Sequence, residues 1–124
     1  MRGGLVGRVK VLLGRFGEDL AVRHLEAAGL EILDRNWRCA EGEIDIVAAE
    51  GGTLVVCEVK TRTGTAFGDP AEAVVGGKAT RLRRLALRYL AERGIGWQDL
   101  RFDVVTVVRR SDGDPVVRHL RGAF

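Results

Sequence analysis

The chain reads as a single α/β domain, a mixed central sheet built around an antiparallel hairpin and flanked by helices. Two observations predict this. The hydrophobic periodicity runs in the order helix, strands, helix, strands. Two alternating segments, GEIDIVAAE (Gly42 to Glu50) and TLVVCEVKTR (Thr53 to Arg62), are separated only by Gly51-Gly52. A Gly-Gly link of this kind is a strong hairpin signal, because tight hairpin turns need positive φ at their central residues. The strand that follows the long second helix is then free to pair in parallel with the hairpin.

Each element has its own justification. Met1 to about Gly7 reads as a mobile end. A first helix starts near Val9 or Leu12 and runs to Ala28, with Gly29 as its stop. Glu18, Ala21, Val22 and Leu25 share one face of it, so Glu18 borders the apolar stripe that packs on the sheet. Leu30 to Leu33 forms a short strand, followed by an irregular approach through Arg35, Asn36, Trp37 and Arg38. After Arg62, TGTAFGDP is a loop. Asp69 and Pro70 are an N-cap and first-turn pair for a short helix to about Val75, broken by Gly76-Gly77. A second long helix spans Lys78 to about Glu92 and ends at Gly94. It buries Ala79, Leu82, Leu85, Ala86, Tyr89 and Leu90. Phe102 to Val108 and Val116 to Leu120 supply the last strands.

Composition narrows the functional classes. With 124 residues, 46% apolar and 30% charged, the chain suits one water-soluble domain. Its longest apolar runs are too short to span a bilayer, and the N-terminus lacks the h-region and cleavage site of a signal peptide. A cytoplasmic protein with no membrane association is expected. Cys39 and Cys57 have no metal-ligand spacing. Cys57 alternates with Val55 and Val59, which marks it as a buried thiol, whereas Cys39 falls in a loop. His24 and His119 show no partner pattern. The formal charge of +3 leans toward an anionic partner.

The candidate chemistry lies in the hairpin. With Gly51-Gly52 as the turn, Asp45 faces Glu58 and Glu43 faces Lys60. Opposed β-carbons sit roughly 4.5–5.5 Å apart, and like charges so placed are destabilising. Strand parity puts Glu58 and Lys60 on one face. Carboxylate oxygens without clustered His or Cys suit Mg²⁺ or Mn²⁺ rather than zinc. Such an ion polarises a phosphodiester and lowers the pKa of bound water, while Lys60 offers charge to the transition state. A plain cross-strand ion pair between Glu43 and Lys60 is the competing reading.

The pattern Asp45, spacer, Glu58-x-Lys60 resembles the PD-(D/E)xK nuclease superfamily, with its restriction-endonuclease-like fold. More closely, the chain resembles the YraN family of bacterial proteins, themselves similar to archaeal Holliday-junction resolvases. The matching segments are GRFGEDLAVRHLEAAGLEIL, NWRCAEGEIDIVA, TLVVCEVKTR, FGDPAEAV and the Lys78-x-x-Arg81-Leu82 helix start. In one respect the chain departs from the superfamily: Ile44 stands where a proline often precedes the acidic residue.

The resemblance implies Asp45, Glu58 and Glu18 as metal ligands, with the Val59 carbonyl a further donor and Lys60 as the catalytic lysine. It implies structured or branched DNA as substrate, Mg²⁺ or Mn²⁺ as cofactor, and a homodimer by analogy with relatives that cut two strands. Lys78, Arg81, Arg84 and Arg88 form a basic sector for phosphates, extended by Arg62. A solvated helix face is the alternative for that row. Trp37 and Arg38 offer stacking or clamping, or a buried indole. Three functions remain open at this point. They are a metal-dependent endonuclease, a non-catalytic DNA-binding protein of the same fold, and an interaction module presenting an acidic hairpin.

Overall fold

A computed structural model describes residues 4–64, 78–94, 96 and 99–124, with side chains from Leu12 onward and excepting that of Lys78. The chain order is α1 (Gly4–Ala27), β1 (Glu31–Cys39), β2 (Gly42–Glu50), β3 (Thr53–Thr63), α2 (Lys78–Arg93), β4 (Asp99–Arg109) and β5 (Val116–Leu120). The five strands form one sheet in the order β1-β2-β3-β4-β5. All neighbours are antiparallel except β3 and β4, which pair in parallel with α2 lying between them in the chain. The predicted α/β architecture with a mixed sheet is therefore present. No helix among the described residues is long and apolar enough to cross a membrane.

The elements follow from the local signals, with three differences. Helix α1 begins at Gly4, so Gly4 to Gly7 belong to the helix rather than to a loose end. Its other end is as expected: Leu30 N–H donates to Leu25 O and Gly29 N–H to Glu26 O, both at 3.0 Å, a Schellman arrangement. Strand β1 is longer than the short strand predicted, running on through Asn36 and Trp37 to Cys39. Cys39 thus ends a strand instead of sitting in a loop, and both cysteines are free thiols. The predicted helix from Asp69 to Val75, its flanking loop and its Gly-Gly break lie outside the described residues.

Strand alternation divides the core in two. Val55 and Cys57 join Ala21, Leu25, Ile46, Ala48, Val105 and Val107 under α1, with Val59 against this cluster. Leu54 and Val56 join Trp37, Ile44, Val47, Phe102 and the α2 residues Leu82, Leu85, Ala86 and Tyr89. Since neighbours on a strand point to opposite faces, α1 and α2 cover opposite sides of the sheet. Trp37 is buried, edge-on to Tyr89 at 5.4 Å between ring centroids, and its Nε1 donates to Glu92 Oε2 at 3.1 Å. The buried indole, rather than a stacking platform, is the outcome.

One close approach sets the position of α1. Gly17 is buried against β3, and a β-carbon there would lie 1.9 Å from Thr61 Oγ1 and 2.9 Å from Thr61 Cβ. Only glycine lets the helix backbone come this near the strand, and the next residue is Glu18.

At the far end of the sheet, a charged network pins β4 to β5 and to the hairpin turn. Asp103 is fully buried. Its carboxylate accepts from Arg101 Nε at 2.9 Å and Nη2 at 3.0 Å, from His119 Nε2 at 2.8 Å, and from Gly122 N–H at 2.9 Å. Arg101 also meets Glu50 at 2.6 Å, which in turn accepts from Arg121 at 2.8 Å. His119 lies edge-on to His24 of α1, with centroids 5.5 Å apart, so both histidines have partners that the sequence pattern did not reveal. Burial pushes the Asp103 carboxyl up, but the hydrogen bonds from His119, Arg101 and Gly122 outweigh it and bring it to about 2.

Two consequences are measurable. Asp103 binds its proton less tightly folded than unfolded, so its contribution is complete above about pH 4 and fades as pH falls toward 2. Asp103→Ala strands buried donors and should cost about 3–5 kcal/mol at pH 7 by urea unfolding, with the gap from wild type narrowing near pH 2. Gly17→Ala, which in an open helix would stabilise by about 1 kcal/mol, should here destabilise. In the same unfolding experiment, Thr61→Ala in that background should recover part of the loss.

Candidate active-site cleft

The hairpin forms with the predicted register, and then departs from it where the chemistry was expected. Glu50 pairs with Thr53, and the ladder continues in register to Ile46 opposite Cys57. Gly51 takes φ +60° in the turn, a conformation that favours glycine. The ladder stops there, so Asp45 is not paired with Glu58. Asp45 instead turns its carboxylate across the gap, where Oδ2 accepts from Val59 N–H at 2.8 Å. A side-chain oxygen replaces the backbone carbonyl that a continued ladder would have used.

The cause is a slip in the alternation of β2. Ile46 and Ala48 lie under α1, whereas Ile44 and Val47 lie under α2. Regular alternation would put Ile44 on the same side as Ile46, so the phase changes around Asp45. The neighbouring strand breaks at the same level. β1 pairs Arg35 with Ile46 and Trp37 with Ile44, while the intervening Asn36 has φ +52°. Among the described residues Asn36 alone combines a side chain with positive φ.

This break opens a cleft of about 690 Å³ at the side of α1. Asp45, Glu18 and Val59 line it, together with Glu43, Asn36, Thr61 and two arginines, Arg15 and Arg38. Glu18 is held from β1: Arg35 Nε and Asn36 Nδ2 both donate to its Oε1 at 2.9 Å, while Arg35 Nη2 reaches Asp19 at 2.6 Å. Glu58 and Lys60 share a face, as expected, on the parity of Val56, opposite that of Val59. Lys60 Nζ lies 3.5 Å from Glu58 Oε1. The anticipated Glu43–Lys60 pair does not form. Glu43 meets Arg38 instead, at 2.9 Å, because the ladder that would have aligned it with Lys60 has ended.

The electrostatics single out Asp45. Burial raises its carboxyl, Val59 N–H opposes the rise, and the charges of Glu58, Glu43 and Glu18 add to it, leaving it at about 6. Like charge thus surrounds this carboxyl on several sides. The donors suit a hard divalent ion in kind, being carboxylate oxygens and a backbone carbonyl. Among the described residues, however, no group of three His, Cys, Asp or Glu side chains is placed to hold a metal ion. Cys57 is an inert thiol, raised well above its ordinary value by burial and then by Asp103, Asp45 and Glu58.

The predicted basic sector lies elsewhere. α2 packs on the opposite face of the sheet, and Glu41 in the β1–β2 turn meets Arg88 at 2.9 Å and Arg84 at 3.8 Å. Arg81 and Arg62 are exposed, and the Lys78 side chain is outside the described residues. Arg15, Asn36 and Thr61 of the cleft were not singled out from the sequence. Arg15 sits three residues before Glu18, one helical turn away, and that spacing was a readable signal.

The chain has close counterparts. A UPF0102 protein of Frankia casuarinae is 62% identical over 117 residues, covering 94% of this chain and 99% of the relative. A UPF0102 protein of Acidothermus cellulolyticus is 51% identical over 122 residues, covering 90% and 92%. One from a Nocardioides species is 49% identical over 122 residues, covering 98% of each. The model of the uncharacterised protein family UPF0102 matches residues 17–107, which takes in Glu18, Asp45, Glu58 and Lys60. On these matches the chain belongs to the UPF0102 family, the YraN-like proteins its motifs resemble.

Proposed function

We propose that the protein is a metal-dependent endonuclease of restriction-endonuclease-like fold that hydrolyses phosphodiester bonds in DNA, with branched or structured DNA as the substrate class. The observation that carries this reading is Asp45. Its carboxylate is fixed by Val59 N–H in a cleft beside Glu18, surrounded by like charge and raised to about 6. Catalytic sites are where such perturbed carboxyls concentrate.

In this reading Asp45, Glu18, Glu58 and the Val59 carbonyl would hold Mg²⁺ or Mn²⁺. The ion would polarise the phosphodiester and lower the pKa of bound water. Lys60 supplies positive charge next to Glu58 and stabilises the anionic transition state. Arg15 and Arg38, on the cleft wall, receive the DNA backbone, with Arg62, Lys78, Arg81, Arg84 and Arg88 as more distant contacts. A homodimer would bring two such clefts to a branched substrate.

A second reading, a non-catalytic DNA-binding protein of the same fold, draws on one observation: three carboxylates do not converge among the described residues. Cleavage assays separate the two. Four-way junction, flap, linear and single-stranded DNA should be tested with Mg²⁺ and with Mn²⁺. The endonuclease reading expects metal-dependent cleavage that falls about 100-fold or more in Asp45→Ala and Glu58→Ala. Salt-dependent binding with no turnover under either metal supports the second reading.

Asp45 also gives a prediction independent of turnover. Folding raises its carboxyl, so the folded chain holds this proton more tightly, and stability declines as pH climbs from about 4 to about 6. Above that window the charge costs roughly 3 kcal/mol. Asp45→Asn, which keeps an oxygen for Val59 N–H, should raise the melting temperature by several degrees at pH 8 and change it little at pH 4. Added Mn²⁺ should stabilise the wild type at pH 8 and leave Asp45→Asn unmoved.

A further inference from the structure

We propose that Asn36 is a positioning residue that holds the Glu18 carboxylate in its working orientation, an assignment that rests on the endonuclease reading. Two independent features point to it. The first is backbone conformation. Asn36 stands at φ +52° inside a β-strand, between Arg35 and Trp37, both of which keep their pairing with β2. Asparagine tolerates this region better than most residues, yet a strand has no local need for it. Strain of this kind persists only where the surroundings impose it, and it concentrates at functional sites.

The second feature is what that conformation achieves. It turns the Asn36 amide into the cleft, where Nδ2 donates to Glu18 Oε1 at 2.9 Å across an eighteen-residue separation. Arg35 Nε donates to the same oxygen at 2.9 Å. Two donors on Oε1 fix the rotation of the carboxylate and leave Oε2 as the oxygen to present to an ion. Arg35 alone could supply charge, but it divides its guanidinium between Glu18 and Asp19. The amide has a single direction to give. Gly17 against Thr61 sets how near the helix comes, and Asn36 sets how the next side chain is aimed.

Backbone and amide are separable by mutation. Asn36→Gly accepts φ +52° and removes the donor. Asn36→Asp keeps the size and the tolerance of positive φ, but sets a carboxylate against Glu18. Asn36→Ala loses both the donor and the conformational tolerance. The measurements are the melting temperature, Mn²⁺ affinity by calorimetry with the metal alone, and kcat and KM on a branched DNA.

The expected result is that Asn36→Gly melts within a few degrees of wild type while binding Mn²⁺ about 10- to 100-fold more weakly. Its kcat falls and its KM stays near wild type, and Asn36→Asp is worse on both metal affinity and kcat. A purely structural role would show the reverse: Asn36→Gly unchanged in Mn²⁺ affinity and turnover, with only Asn36→Ala impaired through stability. That outcome overturns the assignment while leaving the endonuclease reading intact. A wild-type chain without Mn²⁺ affinity would overturn the reading and this assignment together.

Discussion

The hydrogen bond from Val59 N–H to Asp45 Oδ2 is the contact on which the cleft depends. Between Gly51 and Ile46 the hairpin zips as two regular strands. Beyond Ile46 a regular ladder would bring β2 and β3 side by side and close the space between them. A side chain reaches farther than a carbonyl, so satisfying the Val59 amide with a carboxylate holds the strands apart without leaving a polar group unmet. The separation makes room for Glu18 from α1, which Gly17 allows to approach closely. Without the Asp45 contact, there would be a sheet and a helix but no cleft between them.

Charge is distributed around this opening in a way that net charge conceals. The chain is only mildly basic. Four acidic side chains nevertheless gather here: Glu18, Glu43 and Glu58 all lie near enough to Asp45 to act on it. Arg15 and Arg38 line the same cleft, and both are exposed. Helix α2 carries more arginines, but Glu41 engages two of them on the other face of the sheet.

Much of this was legible in the sequence, and the remainder was hidden for physical reasons. The turn at Gly51-Gly52, the register above Ile46, the stop at Gly29 and the faces of both helices are local, periodic signals, and each was readable. The point where the ladder ends was not, because it depends on a side chain competing for a backbone donor, and periodicity assumes that backbone pairs with backbone. The Glu43–Lys60 pairing failed for that reason alone. Asn36 gave no pattern, since a single left-handed residue in a strand leaves the hydrophobic alternation around it almost undisturbed. Asp103, Arg101 and His119 come together only through the β4–β5 register, with Glu50 arriving from another strand. Contacts of that separation have no spacing to read.

The same sheet holds two aspartates with opposite electrostatics, Asp103 fully buried and Asp45 partly so. Asp103 is given an arginine, a histidine and a backbone amide, and settles at about 2. Asp45 is given one amide and three acidic neighbours, and settles at about 6. A fold that needed Asp45 only for stability had the Asp103 solution within reach, since Arg15 and Arg38 line the very cleft that Asp45 occupies. Neither arginine hydrogen-bonds to it; Arg38 is committed to Glu43. The arrangement sacrifices stability at one carboxylate while the network at the other end of the sheet holds β4, β5 and the turn. A buried carboxylate among like charges is destabilising, and a positive charge placed beside it would relieve that cost.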